Sequence, residues 1–271
     1  MEHYLADRSV LFNKDSAFLC PDACERMGCL EPHLHVSVTL VDLVALSLAS
    51  GQRAAELFKR EIKIGFDPID ENHPWVGRVS LELKKPCRFL HGKECSVYPG
   101  RPMACALFPE YWFMAEPPEV ILQKGMFRNF PCIQKPCSIS QARKTALQQL
   151  CEMSVREVFL SDFYLFGISP FVIDLKNAAG QGLERIAVSE DGKAVLPLHR
   201  LEELVSQRLS QGGHLDDWGD KIEKLDQADG LENLTRMKCW TDRMAEAPGG
   251  LSTSIVYQFD KNRLLPIRHC K

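Results

Sequence analysis

Cysteine placement constrains this chain more than any other feature. Of eleven cysteines in 271 residues, eight fall before residue 138, at positions 20, 24, 29, 87, 95, 105, 132 and 137. Thiols at that density are bridged, bound to metal or used in redox chemistry. A disulfide framework belongs to short exported chains that lack a core, with cysteines in even number. Here the count is odd, and 45% of the residues are hydrophobic, enough to bury a core without covalent staples. Metal or redox chemistry is therefore the expectation.

The spacings sharpen it. Cys20, Cys24 and Cys29 read C-x3-C-x4-C, Cys87, Cys95 and Cys105 read C-x7-C-x9-C, and Cys132 and Cys137 read C-x4-C. Short intervals return a chain to a common centre at small entropic cost, which suits ligation. The longer intervals hold HGKE at 91–94 and YPGRP at 98–102, whose turn formers fold the chain back. Gly100, Arg101 and Pro102 look like a helix start, with Pro109 as its stop. Cys105 then faces free N–H groups near Arg101 and Arg88, which predicts a favoured thiolate.

Those residues resemble the YkgJ-like cysteine-cluster family, described as zinc- or iron-chelating domains. Cys87, Phe89, Leu90, Cys95, Tyr98, Arg101, Pro102, Cys105, Phe108 and Pro109 stand where its pattern places them, and Cys20, Cys24 and Cys29 resemble its first cysteine group. The likeness covers roughly residues 16–137. It is also similar to the cysteine cluster of flagellin lysine methylases. The resemblance implies a metal or iron–sulfur site held by Cys20, Cys24, Cys29, Cys87, Cys95, Cys105, Cys132 and Cys137. Four thiolates suit either a tetrahedral zinc ion or a 4Fe-4S cluster, and the balance tips to iron–sulfur because the spacings are irregular. The expected function is metal binding at a redox or catalytic centre with no substrate named. Alternatives are a structural zinc clamp that docks a protein partner and a protein-lysine methylase-like enzyme.

Local patterns predict a mainly helical α+β fold with short strands and an irregular cysteine-rich region. Thr39 and Asp42 form a capping box for a helix through about residue 49, closed by Ser50-Gly51. A second helix is expected from Gln52 to about Lys63, and Val79, Leu81 and Leu83 alternate as in a strand over 78–84. VILQKG after residue 119 reads as another strand, and the eight candidate ligands fall on loops between elements. Ser138 and Gln141 suggest a second capping box, followed by the stripe Ala146, Leu147, Leu150 and Cys151. Residues 176–194 read as a loop or edge hairpin, and amphipathic helices are expected at 197–211, 214–228 and 231–246. A cysteine-cluster domain over 1–137 with a helical region over 138–271 packed on it is the expected organisation.

Other classes fit poorly. A net charge of -3 gives no reason to expect nucleic acid or an anionic membrane as partner. The opening MEHYLADRSVLFNKDS lacks a basic start and apolar run, and 36–51 is too short to span a bilayer, so a cytoplasmic protein is expected. The first triplet differs from the C-x3-C-x2-C of radical S-adenosylmethionine enzymes, and Gly180 and Gly182 lack the third glycine of a dinucleotide loop. His33 and His35 alternate in an expected strand near Cys29, and His91 lies between Cys87 and Cys95; such histidines are more often solvated than ligating. Cys239 and Cys270 have no partners at ligand spacing, although Cys270 adjoins His269.

Overall fold

The capping box forms as written. In the computed structural model the Thr39 side chain accepts from the Asp42 amide while Asp42 accepts from the Thr39 amide, opening α3 (Leu40–Ser50). Gly51 closes it at φ +67°, a left-handed conformation that a side chain would strain. Every residue from Leu40 to Leu46 is buried, so α3 is a central helix rather than a surface one. The structure describes residues 1–32, 34–69, 73–123, 127, 129–134, 137–177, 198–246, 255–261 and 263–268.

Around α3 stand α1 (Glu2–Asn13), α4 (Ala54–Glu61) and the 26-residue α9 (Gln141–Phe166). β1 (Ile62–Pro68) and β2 (Val76–Leu83) pair antiparallel, and β2 continues to β5 (Val172–Asp174), β6 (Ile255–Asp260) and β7 (Arg263–Arg268) in one mixed sheet. The described helices α10 (Leu198–Gln211), α11 (His214–Glu223) and α12 (Ala228–Glu246) pack beside it. The cysteine-rich stretch holds α2 (Met27–Leu30), the hairpin β3 (Leu90–His91) and β4 (Glu94–Cys95), then α5 (Met103–Leu107), α6 (Glu110–Ala115), α7 (Pro118–Gln123) and α8 (Pro131–Gln134). The fold is mainly helical α+β, as the local patterns predict.

Several boundaries differ, each for a physical reason. The helix expected to Lys63 stops at Glu61, because Ile62, Ile64 and Phe66 pair with Leu83, Leu81 and Val79 and enter the core. Sheet pairing there overrides helix propensity. VILQKG lies partly in α7 instead of a strand: Pro118 occupies a first-turn position it tolerates, and Ile121 is buried among aromatic rings. Ser140, rather than Ser138, caps α9. The ligand candidates are not confined to loops, since Cys29, Cys95, Cys105 and Cys132 lie within short helices or strands. The region after residue 138 also supplies three strands, so sheet and main core draw on both sides of that position.

Two buried ionic groups brace the cysteine-rich stretch. Arg8 on α1 pairs with Asp42 and approaches Glu157 at 3.4 Å, while Tyr4 and Thr39 donate to Glu157 at 2.8 and 3.1 Å. Arg143 on α9 donates to Glu110 and to the carbonyls of Leu11, Phe12 and Lys14, which ties α6 and the end of α1 to α9. At this helix end the guanidinium joins the Lys14 amide at the Leu11 carbonyl and adds the carbonyls of Phe12 and Lys14.

Candidate metal centre

The structure regroups the cysteines across the sequence clusters. Cys29 lies on α2, and its carbonyl accepts from the Cys87 amide at 2.8 Å. Cys95 pairs with Leu90 across the β3–β4 hairpin. Cys105 lies on α5, whose first amide, Met103 N–H, donates to Asp42 Oδ1 at 2.8 Å and so fixes that helix to α3. The turn before it presses against α3 at Gly100, where a Cβ would stand 2.4 Å from the Ala45 carbonyl oxygen. Cys87, Cys95 and Cys105 all border the main core.

These four thiols share one electrostatic neighbourhood. Burial pushes the Cys29 thiol up to about 11, with further repulsion from Cys87 and Cys95 and relief from Lys85 and Arg26. Burial also raises Cys87, beside Cys95, and raises Cys105 strongly, beside Cys29 and Cys87, with Lys85 again opposing. The favoured thiolate expected at Cys105 is therefore corrected: desolvation outweighs the helix terminus. Arg88 is engaged with Glu61 at 2.6 Å, and Arg101 stacks on Tyr98 while donating to its carbonyl and to Asn13. The cation shared by Cys29, Cys87 and Cys105 is the Lys85 ammonium, held by the Gly28 carbonyl.

Cys20, Cys24 and Cys132 form a second neighbourhood. Burial, followed by the neighbouring Cys24 side chain, raises the Cys20 thiol. Cys132 sits on α8 among Ile121, Phe127, Phe130 and Ile133, where burial and the charges of Cys24 and Cys20 push it up to about 12. Cys137 stands apart from both groups, with Glu110 and Arg143 as its charged neighbours. Cys151 is half-buried rather than a core residue, Cys239 is exposed, and Cys270, with His269, lies outside the described residues. The ten described cysteines are free thiols.

Among the described residues no three cysteine sulfurs lie within 4.8 Å of one another; the group that meets this limit is His35, Glu82 and Glu202. His35 is not in a strand and does not turn to Cys29. Its Nδ1 lies 2.7 Å from Glu82 Oε2 and 3.4 Å from Glu202 Oε1, and the hydrogen bond to Glu82 raises the imidazole above its usual range against the effect of burial. Lys63 Nζ bridges the two carboxylates at 3.1 and 2.8 Å. Burial works against the Glu82 charge, yet His35 and Lys63 hold its carboxyl below the ordinary range. His91 on β3 is exposed, while His33, Gly180 and Gly182 lie outside the described residues, as does most of 176–194.

Glu82 carries no motif in the sequence, and a carboxylate alternating with Val79, Leu81 and Leu83 is ordinarily solvent-facing. It is the pairing of β1 with β2 that puts Lys63 opposite Glu82 in the sheet register. Nothing local announces Glu202, which arrives on α10 from far along the chain. No family model, curated protein or solved structure matches this chain. No helix among the described residues is long and apolar enough to cross a membrane.

Proposed function

We propose that this chain is a metal-binding protein whose centre is an iron–sulfur cluster held by Cys29, Cys87, Cys95 and Cys105. The observation that carries the reading is the approach of these partly buried thiols from separate stretches of chain: Cys87, Cys95 and Cys105 border the main core, and the Cys87 amide donates to the Cys29 carbonyl. Zinc at about 2.3 Å from each sulfur needs tetrahedral thiolates about 3.8 Å apart, and no three sulfurs lie even within 4.8 Å among the described residues. A cluster spreads its thiolates wider, because each sulfur lies outside a different iron.

Bound there, such a cluster supplies one-electron redox chemistry. The chain's contribution is the setting. Lys85 offsets part of the negative charge that thiolates bring, and the Asp42–Met103 bond holds the Cys105 helix in place. Crowded thiols that resist ionisation alone become stable ligands once a cation shares their charge. Cys20, Cys24 and Cys132 are a smaller group with no fourth sulfur among the described residues, since Cys137 has Glu110 and Arg143 as its charged neighbours.

Anaerobic purification with iron and acid-labile sulfide analysis tests the reading. Brown protein containing both is expected, with colour lost in air. Cys87→Ser and Cys105→Ser should each remove most of the iron, while Cys239→Ser leaves it unchanged. Colourless protein with tightly bound zinc would turn the reading into a structural clamp, and equal iron in all three variants would overturn it.

A further inference from the structure

A second candidate site, chemically unlike the thiols, lies where β1, β2, α10 and the segment before α3 meet. Glu82 and Glu202 are 1% and 8% exposed, and their carboxylates face each other across His35. Two carboxylates at that depth persist only against positive charge. Lys63 supplies one cation, through Glu82 Oε2 and Glu202 Oε2. The compensation is incomplete: Glu202 Oε1 is closed off from solvent and accepts no hydrogen bond among the described residues, although it points at His35 Nδ1 from 3.4 Å. A purely structural ion cluster would gain by satisfying that atom.

Three features point the same way. One ligating atom each from His35, Glu82 and Glu202 lies within 4.8 Å of the others, a span close to what one ion with bonds of about 2.1 Å bridges. The donors are an imidazole and two carboxylates, a set that accepts manganese, iron(II) or zinc and differs from the soft thiolates elsewhere. Glu202 and Lys63 also line a cleft of about 770 Å³ walled by Phe58, Ile62 and Leu215. An ion at its edge keeps coordination positions free for a ligand arriving through the cleft.

We propose that His35, Glu82 and Glu202 bind a divalent first-row cation at the edge of this cleft, displacing the Lys63 ammonium toward solvent. Lys63 is one-third exposed and carries a flexible stem, so it can leave without disturbing the sheet. Manganese(II) is the discriminating probe, since it prefers oxygen and imidazole donors and avoids the thiols.

Titration of the full chain with manganese(II), followed by loss of the sharp electron paramagnetic resonance spectrum of the free ion, tests the site. Saturable binding of about one ion per chain is expected. His35→Gln and Glu202→Gln should each weaken it at least about tenfold, while Lys63→Met, which removes the competing cation, should tighten it. Cys29→Ser and Cys105→Ser should leave manganese affinity unchanged while iron is lost, which separates failure here from failure of the cluster reading. Circular dichroism establishes that each variant is folded. No saturable binding by the parent chain, unchanged affinity in folded Glu202→Gln, weaker binding in Lys63→Met, or loss of manganese with Cys29→Ser would each overturn the proposal.

Discussion

The two thiol neighbourhoods differ in what stands behind them. Cys87, Cys95 and Cys105 lean on the main core, which runs from α3 through the sheet to α10 and α11. Cys132 leans on a satellite of aromatic rings, with Phe108, Trp112, Phe127 and Phe130 meeting edge-on or tilted at centroid distances of 5.0–6.2 Å. The first group thus inherits the rigidity of the largest cooperative unit, whereas the second depends on a small cluster. A ligand set needs positioned sulfurs more than it needs many of them. That is why the proposed centre is placed at the four-thiol group and not at the denser N-terminal run of cysteines.

The sharpest way to break the contrast is Asp42→Ala. It removes the capping box, leaves Arg8 with one buried carboxylate and frees the Met103 amide. A loss of about 4 kcal/mol is expected in urea unfolding, together with loss of iron, because the Cys105 helix is no longer held. Phe130→Ala probes the other side. It should cost about 3 kcal/mol by emptying the aromatic satellite, yet iron on the four-thiol group should persist. Iron loss in folded Phe130→Ala would show that the two neighbourhoods act as one.

A smaller effect tests the ionic pillar beneath α3. Burial, with repulsion from Asp42, raises the Glu157 carboxyl to about 7 despite Arg8. Its unfolded value is the lower one, so the folded state is favoured fully below the ordinary carboxylate range and loses that advantage as pH rises through about 7. Between pH 5 and pH 8 the parent chain should lose on the order of 2 kcal/mol from this group. Glu157→Gln should flatten that dependence in denaturation measured at both pH values. An unchanged slope would mean that Arg8 keeps Glu157 ionised throughout.

Where a feature depends on neighbours in sequence, it was legible. The Thr39–Asp42 box, the Gly51 stop, the buried Val79, Leu81 and Leu83, and the three late helices each follow from a few adjacent residues. Ala146, Leu147 and Leu150 likewise enter the interior at helical spacing. Where a feature depends on distant partners, it was not. β1 looks like the tail of a helix until β2 pairs with it, and α7 looks like a strand until the aromatic satellite receives Ile121.

Amino-acid order alone determined that the chain is rich in thiols, has core material of its own and carries a helix capped by Thr39 and Asp42. It did not determine which thiols meet. Cys29 leaves its sequence neighbours to join Cys87, Cys95 and Cys105, Cys132 joins Cys20 and Cys24, and Cys137 turns to an ion pair. His35, Glu82 and Glu202 converge from three parts of the chain. Caps and periodicities act over a few residues, whereas a site is fixed by the packing of whole elements, and only the tertiary structure decides which side chains that packing brings together.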